Sequence, residues 1–391
     1  MLKNLKIFSL VFLAMLFPYI KLGGGVLPTI YFIIFLPCFF YILSNSFKSD
    51  DFFLYAFFSI SFLAVFIVGI FNGGEYSLRV LFLVFIFIFI YFSAKQILYF
   101  CLNSNIGLNQ FYLIMINTIL INSVLIILLN IGLIDPNVFY SYIETSPTVF
   151  TYPIKRYPGL VFDAFSYLSV LNAFTLCLLL DLYFKQKIKS NTYFLISFFV
   201  IFIALVLTGR SGILILILFF VFMQTNFNLR VFKITIFMSL IIVGVTLFPW
   251  GDFEWIKSWA FNFIINLVLG AEHIDSSVTG VQSLIFYPEN IWLGDSTPFI
   301  QVKSDLGIIR FFNSLGLLGS SVLLLYYTFL FLLALRTSDK LSIFLVVMLF
   351  LLNFKDVYFV SPYGVTFFVL FIVLGRSKSF IHKGICKREF C

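Results

Sequence analysis

Apolar residues run along this chain in long blocks broken by short polar interruptions, from one end to the other. A membrane span needs about 20 such residues, within a range of about 17–25. Blocks of this kind fall near residues 5–21, 25–44, 52–71, 78–94, 109–134, 160–181, 192–208, 211–226, 231–249, 307–335, 341–354 and 358–375. The pattern predicts about twelve transmembrane helices. The first block follows Met1, Lys3 and Lys6, as a signal peptide would. No Ala-x-Ala-like cleavage site follows it, so it is read as an uncleaved first span.

Residues 194–223 decide the topology. Only Thr208, Gly209, Arg210, Ser211 and Gly212 interrupt that block. As one helix it would be roughly 45 Å long at about 1.5 Å per residue, against a hydrocarbon core of about 30 Å. It is therefore one overlong span or two short spans joined at a Gly-x-x-Gly turn. Charge separates the two. With two spans both termini lie inside, and 16 of the 25 Lys and Arg but only 5 of the 17 acids are cytoplasmic, a net +11 against −3 outside. With one span everything after it inverts, and the basic tail 376–391 lands outside. The positive-inside rule favours two spans. Arg210 then sits in a tight outer turn, either snorkelling to lipid headgroups or standing as a fixed cation at a helix N-terminus, where backbone amides already favour an anion.

Composition agrees with the pattern. The 391 residues are 62% hydrophobic and 11% charged, with 57 phenylalanines, where a soluble domain averages about 25% charged. Such a chain would not stay in solution. The expected fold is an all-α polytopic integral membrane protein, one transmembrane domain over 1–391.

The outer connections are uneven. Two are long, 134–157 and 249–305. The second holds all four tryptophans, Trp250, Trp255, Trp259 and Trp292, and one of the two histidines, His273. Trp255 and Trp259 lie four apart, on one face of a predicted helix. An interfacial aromatic belt explains them; stacking on sugar rings is the functional alternative, compatible with that depth.

Three arginines stand at outer loop–helix junctions: Arg156 in "KRYPGLVFDAFSYL", Arg210 in "LTGRSG" and Arg310 in "SDLGIIRFFNSLGLLGSSVL". Asp163 and Asp305 occupy the same kind of place. The guanidinium fork suits bidentate contact with phosphate, and a nearby carboxylate can take a proton from a hydroxyl. Each arginine read singly is equally a surface charge or a structural ion pair.

These segments resemble bacterial O-antigen polymerases of the Wzy type and, more distantly, O-antigen ligases. "RYPGLVFDAFSY" is similar to the family's Arg-x-x-Gly segment, with Arg156 and Gly159 matching. "LTGRSG" is similar to its Thr-x-Ser-Arg-Gly segment, with the order swapped to Arg210–Ser211. The segment after the large loop enters a Gly-rich helix, which Gly316 and Gly319 fit. Ligases usually carry a histidine where this chain has Ser304–Asp305, which favours the polymerase branch. The resemblance covers most of the chain in architecture and about forty residues in motif. It implies a GT-C-like arrangement in the bacterial inner membrane, with a large late periplasmic loop carrying short helices. It also implies an undecaprenyl-pyrophosphate-linked oligosaccharide donor and acceptor, with a chain-length regulator protein and membrane lipids as partners.

Under that resemblance Arg156, Arg210 and Arg310 stabilise the departing pyrophosphate. Asp305 is the first choice to orient or deprotonate the acceptor hydroxyl, followed by Asp163, Glu272 and His273. Trp255 and Trp259 stack on glycan. No cofactor and no metal are expected: the outer side carries no Asp-x-Asp motif, and Glu272, His273 and Asp275 lack further ligand spacing.

Other features narrow the field. None of the cysteines (38, 101, 177, 386 and 391) lies in a predicted outer loop, which excludes an outer disulfide framework under this topology. No Walker-type phosphate loop is present. The triple glycine 23–25 reads as a turn, and Lys355 with Asp356 as a charge pair at the outer surface. The inner basic residues are explained by topology and anionic lipid, so nucleic acid is not implied. The runner-up is a lipid-linked oligosaccharide flippase, with an O-antigen ligase as third reading. A transporter often shows half-to-half symmetry, whereas this chain concentrates its bulk and its tryptophans in one outer loop.

Overall fold

A computed structural model describes residues 2–16, 18–22, 25–28, parts of 59–70 and 91–97, and then 106–145, 157–161, 165–224, 287–295, 307–337 and 340–354. The protein is mostly helical. Its elements are α1 (Leu2–Leu16), β1 (Tyr19–Leu22), β2 (Gly25–Pro28), α2 (Leu108–Asn130), α3 (Pro136–Tyr142) and β3 (Ile143–Glu144). They continue with α4 (Phe165–Phe184), α5 (Asn191–Thr208), α6 (Arg210–Gln224), α7 (Gly307–Thr337) and α8 (Lys340–Leu352). Among the described residues, three helices are long and apolar enough to cross a membrane, within α2, α4 and α5, and a fourth if the bent α7 counts as one span. The predicted spans at 25–44, 231–249 and 358–375 lie largely or wholly outside the described residues. The chain divides into two compact units, Met1–Ile30 with Ile106–Val278, and Tyr31–Asn105 with Thr279–Cys391.

In the first unit α4 is the central element, packed against α5 and α6. Its residues 168–182 are buried throughout. α4 and α5 form an antiparallel hairpin. At one end Tyr183 stacks on Phe194 with ring centroids 3.8 Å apart, and at the other Ser169 bonds the Gly209 carbonyl. α6 begins beside Ser169 and packs on α4, so it runs back alongside α4. The run 194–223 is therefore two helices with a reversal at Gly209, whose backbone is extended (φ 174, ψ 153). α2 runs with α5: Asn117 accepts from the Tyr193 hydroxyl at 2.8 Å, near the start of α5.

Local sequence explains the ends. Ser190 caps α5 by accepting from the Tyr193 amide. Asp135 caps α3, with Pro136 in the first turn. α2 stops at a Schellman turn: Gly132 takes φ +77, its amide bonds the Leu129 carbonyl, and the Leu133 amide bonds that of Leu128.

Two expectations are corrected. The first run was expected to cross over 5–21, with the next beginning at 25. Instead α1 ends at Leu16, and β1 and β2 pair antiparallel from Tyr19–Pro28 to Leu22–Gly25. Pro18 and the glycines interrupt the apolar pattern where helix propensity is lowest. These short strands sit in a protein that is otherwise helical, in keeping with the expected all-α class. β3 adds to β1, pairing Tyr19 with Glu144 and Ile20 with Ile143, in the order β2-β1-β3. Lys21 fastens this sheet to the first long loop, bridging Glu144 at 2.9 Å and donating to the Tyr140 carbonyl at 2.9 Å.

Candidate functional site

The site is built at the end of the first unit where α2 stops, α4 begins, α5 stops and α6 begins. Two of the three arginine-bearing segments come to this end.

The first is the segment 157–161, which continues from Arg156 in sequence and straps across α2. Asn122, in the buried face of α2, accepts from the Leu160 amide at 2.8 Å and donates to the Pro158 carbonyl at 3.4 Å. Two turns on, Asn130 donates to the Tyr157 carbonyl at 3.3 Å and accepts from its amide at 3.4 Å. Between these anchors Gly159 takes φ +70, and a Cβ there would lie 2.4 Å from Asn122 Oδ1. The positive φ and this close approach both favour glycine at position 159.

Tyr140 of α3 is buried beneath the strap, its ring centroid 6.1 Å from that of Tyr157. Burial pushes its hydroxyl well above the ordinary tyrosine range, opposed by a hydrogen bond with the Gly159 backbone. Tyr157 is raised as well, by desolvation and by the charge of Asp135. Both phenols are neutral at physiological pH.

The second segment is the α5–α6 reversal. Ser169 Oγ donates to the Gly209 carbonyl at 2.6 Å and accepts from the Gly212 amide at 2.9 Å, capping α6 from a neighbouring helix. A Cβ on Gly212 would lie 2.4 Å from the Ser169 carbonyl oxygen, so the glycine permits the backbone approach. Below the turn Asn172 donates to Thr208 Oγ1 at 3.4 Å, and Thr208 donates to the Ala204 carbonyl at 2.8 Å. Asn172 Oδ1 is buried with no hydrogen-bond partner among the described residues.

Arg210 is the first residue of α6, so its Cα stands at this end of the bundle. Ser169 takes up one amide of the first turn, so the anion-binding helix end expected from the sequence offers one donor fewer. Arg156 and Asp163, like Asp305, Glu272, His273, Trp255 and Trp259, lie outside the described residues. So do Asp275, Lys355 and Asp356. Arg310 lies in the second unit, half-buried in the first turn of α7.

Sequence reasoning missed Asn122, Asn130, Ser169 and Asn172. Their signal was present: an amide or hydroxyl inside an apolar block costs free energy unless something bonds it. Here Asn122, Asn130 and Ser169 bond the backbone of the two segments, and Asn172 bonds the Thr208 hydroxyl. The arrangement fastens two glycine-containing segments within the first unit, one on α2 and one on α4, each next to an arginine in the chain. No family model, curated protein or solved structure matches the chain.

Proposed function

We propose that this protein is an O-antigen polymerase, joining lipid-linked oligosaccharide repeat units at the outer face of a bacterial inner membrane. The observation that carries this reading is the placement of the two motif segments. The Gly159 strap and the Gly209–Gly212 turn lie at one end of one helical unit, each fastened by a buried polar side chain. Segments that share a site need such a common level, and segments that are similar to a family motif by accident do not.

In this reading the donor sugar leaves undecaprenyl pyrophosphate and is bonded to a hydroxyl of the acceptor glycan. Negative charge grows on the departing pyrophosphate, and fixed guanidinium groups stabilise it without reorganising. Arg156 and Arg210 serve from the two motif segments, and Arg310 from α7. Asp305 orients or deprotonates the acceptor hydroxyl, with Asp163, Glu272 and His273 as further acid–base groups. Trp255 and Trp259 stack on the glycan. A chain-length regulator in the same membrane sets how many units are joined.

The flippase reading has one observation in its favour. Helices are broken at Gly209 and Gly316, and transporters build binding sites from broken helices. A polysaccharide ladder separates the readings, using a deletion strain complemented with wild type, Arg210→Ala or Arg210→Lys at matched membrane levels. A polymerase gives long chains with wild type, and single repeat units on lipid A core with the deletion and the Arg210 variants. Loss of even the single unit in the deletion contradicts polymerisation, and donor lipid accumulating on the inner leaflet then identifies a flippase.

A further inference from the structure

Arg310 rides on a helical segment held by a loop rather than by its own helix. α7 is interrupted at Gly316, where φ is +63 and ψ −165. An unbroken helix would bond the Leu317 amide to the Asn313 carbonyl. Both groups turn instead to the loop 287–295. The Leu317 amide bonds the Ile291 carbonyl at 2.9 Å, the Leu318 amide bonds that of Trp292 at 3.1 Å, and the Asn313 carbonyl accepts from the Asp295 amide at 2.7 Å. The loop is thus inserted into the helical ladder and replaces the bonds that the break removes.

The fit depends on two glycines back to back. A Cβ on Gly294 would meet the Gly316 nitrogen at 2.5 Å, and a Cβ on Gly316 would meet the Gly294 nitrogen at 2.5 Å. Both take positive φ, +71 and +63. The loop also carries hydrogen bonds of its own. Asn290 Oδ1 accepts from the amides of Trp292 and Leu293, each at 3.1 Å, and Asp295 Oδ1 accepts from that of Glu289 at 2.8 Å. The other end of the helical segment is tied down too, since the Ile308 amide bonds the Asn353 carbonyl beyond α8 at 2.9 Å. Arg310 lies between these two attachments, one turn before Asn313.

We infer that Gly294 and Gly316 are positioning residues: their backbone contact locks the loop 287–295 into the break of α7 and so sets where Arg310 stands. That Arg310 stands there to meet a pyrophosphate rests on the polymerase reading; the lock does not. The loop belongs to the connection 249–305 that carries the tryptophans. A displacement of that connection is thereby transmitted to Arg310.

The test uses the full-length chain in its membrane, with its five native cysteines replaced. Cysteines at Ile291 and Leu317, both exposed and joined by a backbone bond, are expected to form a disulfide on mild oxidation and to lose it with Gly294→Ala. Trp292→Ala, which removes only an exposed side chain, is expected to keep it. In a separate background, Gly294→Ala is expected to change the rate at which a maleimide labels Arg310→Cys. It is expected to leave labelling of Leu133→Cys, on the first unit, unchanged. On the polysaccharide ladder Gly294→Ala is expected to shorten the chains as Arg310→Ala does. A crosslink absent from the parent, or surviving Gly294→Ala, overturns the lock. A crosslink lost without a change at position 310, or with unchanged chains in a strain whose polymer depends on Arg310, overturns the positioning role. If the deletion strain still makes long chains, the polymerase reading fails by itself, and the crosslink and labelling still judge the lock.

Discussion

Asn122 shows what a single buried amide does in this protein. It satisfies an amide and a carbonyl of the strap that follows Arg156, and leaves Gly159 no room for a side chain. Asn122→Ala strands both groups, and a lost buried partner costs about 1–3 kcal/mol. Ser169→Ala removes the cap of α6, at a cost of about 1 kcal/mol. Gly212→Ala is expected to be worse than Ser169→Ala, because its new Cβ meets the Ser169 backbone as well as the capping hydroxyl, and backbone cannot swing aside. Thermal unfolding in detergent checks all three: lowered midpoints are expected, with Gly212→Ala the lowest, and unchanged midpoints would contradict the packing described here. Tyr140 adds a pH dependence. Its folded pKa lies above the ordinary 10.0, so above that pH the unfolded chain releases a proton that the folded chain keeps, and stability falls as pH rises. Below pH 10 the contribution is intact. Alkaline unfolding followed at pH 9 to 11, about one unit either side of the ordinary value, should show less of this decline in Tyr140→Phe.

At the scale of elements, the reversal at Gly209 decides which side of the membrane follows. α5 and α6 both pack on α4 and share one end with the strap. Cysteine replacing Arg210 should therefore react with an impermeant reagent from the same side as cysteine replacing Leu133, and cysteine replacing Gln186 from the opposite side. Reaction of 210 and 186 from one side would contradict the reversal. This break was legible in the sequence because a single helix over 194–223 is too long for a bilayer and inverts the basic tail. The apolar blocks behind α2, α4 and α5 were legible for the same reason, but not all their limits: α2 stops at Asn130 and α4 begins at Phe165, where the pattern put 134 and 160. The hairpin of β1 and β2 was not. Apolar residues alone do not separate a strand from the end of a span, and β1 finds its partner β3 more than 120 residues later, between Tyr19 and Glu144. The break in α7 was equally hidden. Gly316 was readable only as part of a Gly-rich helix, because the group that replaces its helical bonds comes from a loop distant in sequence.

For the whole molecule, the arginines at loop–helix junctions were visible in the sequence, whereas the groups that fix those junctions were not. A polar side chain of this kind gains meaning only when its partner is known, and the partners here lie 27 to 43 residues away. The proposed activity is formation of a glycosidic bond between lipid-linked units, with arginines taking the charge of the leaving pyrophosphate. The most direct measurement is reconstitution of the purified chain in liposomes with undecaprenyl-pyrophosphate-linked repeat units and no other protein. Products and released lipid are then followed by mass spectrometry. The account predicts units of doubled and higher length, one undecaprenyl pyrophosphate released per bond formed, and loss of both with Arg210→Ala. Unchanged repeat units in wild-type liposomes that retain folded protein would contradict it.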